Sequence, residues 1–252
     1  MESRIQSYLR VAASHGREVE QIGPFLATFS LHSDNPYINY ALPDDGAAPT
    51  ADDVAALIDA YERRDRRPRL EYIAQLAPEV EPALLAAGFA VETRPPLMMC
   101  APGQQQRRPL PPGFELILPT SDDELLGLIA AQNEAYDSPP PDPEAVDRLR
   151  ANIADGQIAV LARVAETGEP VGGGMCTVPY QGITEVAGIG VRAKFRRQGV
   201  AAALTVRLTE EAFDAGVTLA FLMAAAEAEA RIYARCGFTR IGEVLHISRP
   251  RS

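Results

Sequence analysis

Residues 196–201 read RRQGVA, and their setting decides what they can do. The preceding run, 183–191, has the composition of a strand. From Gly199 onward Val200, Leu204, Leu208 and Ala212 recur at helical spacing. A strand, the loop VRAKFRRQG and a helix in that order bring unpaired main-chain N–H groups and the positive end of a helix dipole to one spot. Such a spot binds phosphate oxygens. Gly199 allows close approach of the backbone, and Ala201 and Ala202 keep the first turn free of bulk. Arg192, Lys194, Arg196 and Arg197 add positive charge to an otherwise acidic chain. A pyrophosphate is the natural guest, although the hexapeptide alone also fits a plain strand-to-helix turn with solvated arginines. Neither G-x-x-x-x-G-K-[ST] nor a G-x-G-x-x-G after a strand is present, which removes the two commonest phosphate loops.

The elements that must position this loop follow from periodicity and punctuation. Residues 101–113, APGQQQRRPLPPG, read as a linker between an N-terminal module, 1–100, and a C-terminal domain, 114–252. Before the linker lie a short helical N-terminus, strands at 24–29 and 37–42, and a helix at 51–63 opened by a Thr50/Asp53 capping box. A strand at 70–76, a helix at 79–87 and a strand at 89–98 follow. The arginine-rich run 63–69 reads as a solvated helix end.

After the linker a strand at 114–118 leads into a helix opened by Ser121 and Glu124 and running to Tyr136. Asp142, Pro143 and Glu144 start another. Strands at 158–164, 170–178 and 183–191 come next, then a helix ending at Gly216, a strand at 219–224, a helix at 227–235 and a last strand at 238–247. The mixture is of an α/β (α+β) class.

Residues 70–89 align without gaps against 219–238, with Leu70/Leu219, Tyr72/Phe221, Ala77/Ala226, Gly88/Gly237 and Phe89/Phe238 coinciding. Duplication is the expected cause. The position in the first copy that corresponds to the phosphate loop reads PDDGAAPT, which is acidic and would repel phosphate. One active centre is therefore expected.

Composition bounds the rest. The 252 residues carry a formal charge of −10, with 46% hydrophobic and 23% charged residues. That balance disfavours nucleic acid and anionic membranes as partners, since both need a basic footprint, and suits a cationic amine. No membrane span or secretory leader is apparent, so a cytoplasmic location is expected. Cys100, Cys176 and Cys236 are widely spaced and His15, His32 and His246 stand away from them, so neither a disulfide framework nor a metal site is expected.

Arg196-x-x-Gly199-x-Ala201 after a strand resembles the [RQ]-x-x-G-x-[GA] signature of the GNAT acyltransferase superfamily. Downstream, IYARCGF at 232–238 resembles that family's tyrosine-bearing helix and Gly-Phe turn, at the usual separation. The resemblance covers 113–252 closely and residues 20–100 only in layout, which implies tandem GNAT-like modules, each a mixed, mostly antiparallel sheet flanked by helices, with a degenerate first copy.

It further implies acetyl-CoA or another acyl-CoA as cosubstrate, with the pantetheine arm in a gap between two splayed strands. Ile189, Gly190 and Val191 would pair with that arm through their main chain. Arg196, Arg197, Gln198, Gly199, Val200, Ala201 and Ala202 would hold the pyrophosphate. The implied reaction is transfer, of acetyl in the first instance, to a small-molecule or peptide amine by direct attack. A cationic amine must first lose a proton. Glu185 is the candidate base, because strict alternation places it on the same face of the strand as Val191; a solvated glutamate beside a hairpin turn is the alternative. Tyr233 is the implied acid for the departing thiolate. Where the family often has asparagine this chain has Ala226. A non-catalytic acyl-CoA-binding sensor would keep the loop without needing Glu185 or Tyr233. Monomer and homodimer are both compatible with the sequence.

Overall fold

The structure, a computed structural model, describes residues 1–250. Its contacts separate the chain into two compact units, Met1–Leu97 with Ile241–Ser252, and Met98–Arg240.

In the first unit α1 (Glu2–Ser14) leads to the hairpin β1 (Arg17–Ile22) and β2 (Phe25–Ser30). β3 (Ala41–Pro43) pairs antiparallel with β2, and parallel with β4 (Arg69–Ile73) after α2 (Ala51–Glu62). α3 (Val80–Ala86) and β5 (Ala90–Thr93) follow, and β6 (Pro96–Cys100) runs past Leu97 into the second unit. β1 escaped the sequence reading because REVEQI is polar and half exposed on an edge. The expected strand at 37–42 is only a 3-10 turn, Pro36–Ile38, followed by the short β3. The expected strand at 89–98 breaks at Arg94 and Pro95, since proline cannot donate to a ladder. The Thr50/Asp53 capping box on α2 is formed in both directions.

In the second unit β7 (Phe114–Ile117), α4 (Asp122–Ala135) and α5 (Ala145–Ala154) precede the antiparallel strands β8 (Ile158–Val164), β9 (Pro170–Cys176) and β10 (Ile183–Val191). α6 (Val200–Asp214) crosses over to β11 (Leu219–Met223), which pairs parallel with β10. α7 (Glu227–Arg235) follows. α4 packs on β9 and β10, and so does α6. A core of Val186, Val191, Val200, Leu204, Leu208, Ala220 and Leu222 lies on the α6 side.

β12 (Thr239–Ser248) crosses the boundary. Val244 pairs with Ile73, Ser248 with Arg69 and His246 with Thr93, and Leu245 and Ile247 enter the core that holds Leu70 and Tyr72. The last strand, expected in a 114–252 domain, therefore belongs to the first unit from Ile241. Local patterning cannot reveal such a pairing, because a linker is visible in composition and a distant strand partner is not. The two aligned segments do share one local form. Phe89 N–H donates to Leu84 O at 3.1 Å and Phe238 N–H to Tyr233 O at 3.1 Å, each after a glycine with positive φ.

The run 63–69 is not a solvated helix end at its last residue. Arg69 stands on β4 with no exposure, where its guanidinium bonds Glu71 and, at 2.9 Å, Glu92, and lies 4.8 Å from the Tyr37 ring. A buried guanidinium is tolerated only with such partners. Burial would push the Glu92 carboxyl up, but Ser248 and then Arg69 outweigh it and hold it below the usual carboxylate range.

The Glu92 contribution is thus present above the ordinary carboxylate pKa and lost as pH falls through the lower folded value. Glu92→Gln should cost on the order of 1 kcal/mol at pH 7, with the gap to the native chain closing below about pH 4. Chemical denaturation across that range measures it, and a gap that widens in acid would refute the assignment.

Candidate active site

β10 is where the second unit's sheet opens. Its first half pairs with β11 at Ile183↔Leu219, Thr184↔Ala220 and Glu185↔Phe221, and this parallel register stops there. On the other edge β10 stays paired with β9, through Val186↔Cys176 and Ala187↔Met175 and then Gly190↔Gly173 and Val191↔Gly172. Between Ala187 and Gly190 the strand therefore holds one residue more than its partner, a bulge. Gly188 supplies it, at a φ of 61° that disfavours any side chain. The second half of β10 is left without a β11 neighbour.

The bulge overturns the alternation argument for Glu185. Val186 faces the α6 core opposite Cys176, so Glu185 and Ala187 face α4. A Cβ on Gly188 would meet Gln132, also on the α4 side, whereas Val191 lies in the α6 core. Glu185 and Val191 are consequently on opposite faces, because the extra residue reverses the phase. Glu185 shares the α4 face with Gly188 and Gly190. Its own N–H receives Thr177 Oγ1 at 3.0 Å as acceptor, and its carbonyl accepts from Thr177 N–H at 2.9 Å.

Beyond Val191 a 3-10 turn, Ala193–Phe195, leads to Gly199, the N-cap of α6, at a φ of 90°. No side chain caps this helix, and the N–H groups of Gly199, Val200, Ala201 and Ala202 find no acceptor among the described residues. They form an N-terminal donor cluster of the kind that holds phosphate. The expected basic cluster is mostly engaged elsewhere. Arg192 pairs with Glu134 and Lys194 with Glu169. Arg196 Nε donates to Val191 O at 2.9 Å and Nη2 to Ala135 O at 3.0 Å, tying the end of β10 to the end of α4. Arg196 thus braces the loop through its side chain, and only its main chain remains for an anion. Arg197 is exposed, at a φ of 62°, with no ion pair among the described residues. Gln198 is exposed beside it.

Tyr233 lies on α7, partly buried, its ring edge-on to Phe238 at 6.4 Å. Burial, then the charge of Glu229 and the neighbouring Tyr136 hydroxyl, push its pKa well above the ordinary tyrosine value, so it keeps its proton at neutral pH. Ala226, in the place of the expected asparagine, is the N-cap of α7 without a side-chain bond, and Glu229 reaches back to Ala225 N–H at 3.0 Å. Cys236 donates to Ala202 O at 3.6 Å, and burial pushes its thiol up to about 11, which keeps it a thiol and a poor nucleophile.

Two side chains of α4 also belong to the site. Gln132 Nε2 donates to Gly188 O at 2.5 Å, and Tyr136 Oη donates to Ile189 O at 3.0 Å. The sequence signal for them is a polar residue, Gln132, on the helix stripe otherwise occupied by Leu125, Leu128 and Ala131. Spacing marks that stripe as inward-facing, but nothing local says which strand carbonyl it meets.

Residues 122–238 match the model of the acetyltransferase (GNAT) family. No curated protein sequence matches the chain. Among solved structures, a GCN5-related N-acetyltransferase from Kribbella flavida is similar over 100% of this chain and 96% of its own, with a TM-score of 0.84 and 26% identity. A GCN5-related N-acetyltransferase from Sphaerobacter thermophilus is similar over 91% of this chain and 78% of its own, at a TM-score of 0.69 and 18% identity. A tandem GNAT protein from the clavulanic acid biosynthesis pathway covers 97% of this chain and 88% of its own, at 0.65 and 13%. The mixed sheet flanked by helices is thus the fold of GNAT proteins, and the family match falls on the unit that carries the splayed strand and the loop.

Because Arg196 braces two main-chain carbonyls, Arg196→Ala should lower stability by about 1–2 kcal/mol. Arg197→Ala should leave it unchanged within about 0.5 kcal/mol. Equal effects of the two in urea denaturation would contradict the bracing role.

Proposed function

We propose that the protein is an acyl-CoA-dependent N-acyltransferase of the GNAT type that transfers acetyl to a primary amine. The observation that carries this is the conjunction around β10: a strand edge without a β11 neighbour after Glu185, followed through the 192–199 loop by a helix N-terminus whose first N–H groups lack acceptors among the described residues. The main chain of Ile189, Gly190 and Val191 would hold the pantetheine arm, as a strand holds an added strand. Gly199, Val200, Ala201 and Ala202, with the main chain of Arg196, Arg197 and Gln198, would hold the pyrophosphate. Acyl-CoA supplies a thioester carbonyl open to attack by an amine nitrogen.

Glu185 is proposed to take the proton that a cationic amine must lose. Its place on the α4 face, which the bulge dictates, sets it on the side where Gln132 and Tyr136 approach β10. Tyr233 is proposed to protonate the departing thiolate, and its raised pKa keeps it a donor at working pH. A thiolate leaves readily near neutrality even unprotonated, so loss of this donor slows the step without abolishing it. Cys236 is buried and protonated, which favours direct attack over a thioester carried on the protein. The first unit, with acidic 43–50 where a phosphate loop would lie, is proposed to be a degenerate copy that binds no acyl-CoA. The net charge of −10 suits a cationic acceptor in a cytoplasmic setting.

Isothermal titration should detect one acetyl-CoA per chain, and Gly199→Glu should abolish binding by adding a carboxylate and a side chain at a left-handed position. Binding untouched by that variant would remove the proposal. Free-thiol release across a panel of amines separates the enzyme from a non-catalytic acyl-CoA sensor. Glu185→Gln should reduce kcat/KM about 100-fold or more, and Tyr233→Phe about 10-fold, with acetyl-CoA affinity retained in both. Bound acetyl-CoA with no turnover of any amine would favour the sensor.

A further inference from the structure

In the half of β10 that has no β11 neighbour, three carbonyls accept from side chains of the same unit, Gly188 O from Gln132 among them. Val191 O accepts from Arg196, and Ile189 O accepts from Tyr136 Oη at 3.0 Å. Tyr136 is the C-cap of α4 and stays 56% exposed, although its ring sits against the strand. A Cβ on Gly190 would lie 3.3 Å from the Tyr136 ring. The next residue, Asp137, has a φ of 52°, and an exposed stretch without regular structure runs on to α5. Tyr136 is thus held to the strand by one side-chain hydrogen bond at the end of a helix, and its exposed side chain, outside the buried core, can rotate off Ile189 O while the main chain stays in place.

We propose that Tyr136 is a gate on the pantetheine slot: its hydroxyl stands in for a pantetheine amide at Ile189 O and must leave when acyl-CoA enters. The proposal rests on the acyl-CoA reading of this site. A closed population held by that bond reduces the apparent affinity of the cosubstrate by the fraction that is open. The departing hydroxyl moves into solvent, to which the side chain is already open. Arg196 differs, because a second bond, to Ala135 O at 3.0 Å, also ties it to the end of α4.

Tyr136→Phe keeps the ring and removes only the latch. In isothermal titration, acetyl-CoA should bind Tyr136→Phe about 2- to 10-fold more tightly than the native chain, the change that one net hydrogen bond makes. Adenosine 3′,5′-bisphosphate, which has no pantetheine arm, should bind both equally. Equal or weaker acetyl-CoA binding by the variant, or a parallel change for both ligands, overturns the gate. As a second measure, the native chain carrying 3-fluorotyrosine should show the ¹⁹F resonance of Tyr136, assigned by its loss in the variant, shift on adding acetyl-CoA and stay in place with the bisphosphate. A resonance unmoved by saturating acetyl-CoA overturns the gate while leaving the acyl-CoA reading intact. Failure of the native chain to bind acetyl-CoA removes both.

Discussion

The parting of β10 from β11 after Glu185↔Phe221 is the constraint on which the site depends. A sheet strand normally satisfies both edges, and an open edge inside a unit exposes main-chain donors and acceptors that demand partners. Here the far edge stays tied to β9 across the bulge, while the near edge, among the described residues, is met by side chains from α4 and the loop. The bulge does two things at once. It leaves one residue of β10 without a partner on β9, and it reverses the phase of the side chains, which puts Glu185 and not Val191 on the α4 face.

Electrostatics at the loop comes from the main chain more than from the arginines. Arg192 and Lys194 are neutralised by Glu134 and Glu169, and Arg196 is spent on carbonyls. What remains for an anion is the N-terminal donor set of α6 with the exposed Arg197 beside it. A chain of net charge −10 can still bind a pyrophosphate in this way, because fixed N–H dipoles act over the first turn only and do not require a basic surface.

The parts of this arrangement legible in the sequence were those written in local chemistry. β10 and α6 were readable from strand composition, a helical apolar stripe and a glycine at the cap. Gly188 and Gly190 are unusual residues for a strand interior, and the structure puts a bulge at the first and a close approach of α4 at the second. The phase error at Glu185 arose because strict alternation assumes an unbroken strand, and a bulge is invisible to a period of two. The placement of β12 with β4, the burial of Arg69 and the contact of Tyr136 with Ile189 all depend on residues far apart in the chain. No window of sequence contains both partners. The arginines of the loop looked like ligands because their type was visible and their acidic neighbours in space were not.

An amide-resolved NMR titration of the native chain with acetyl-CoA tests the central claim most directly. The account predicts that the amides of Ile189, Val191 and Gly199 through Ala202 shift first and most, with the first unit's amides unmoved. Saturable shifts confined to other residues, or no shifts at millimolar acetyl-CoA, would contradict it.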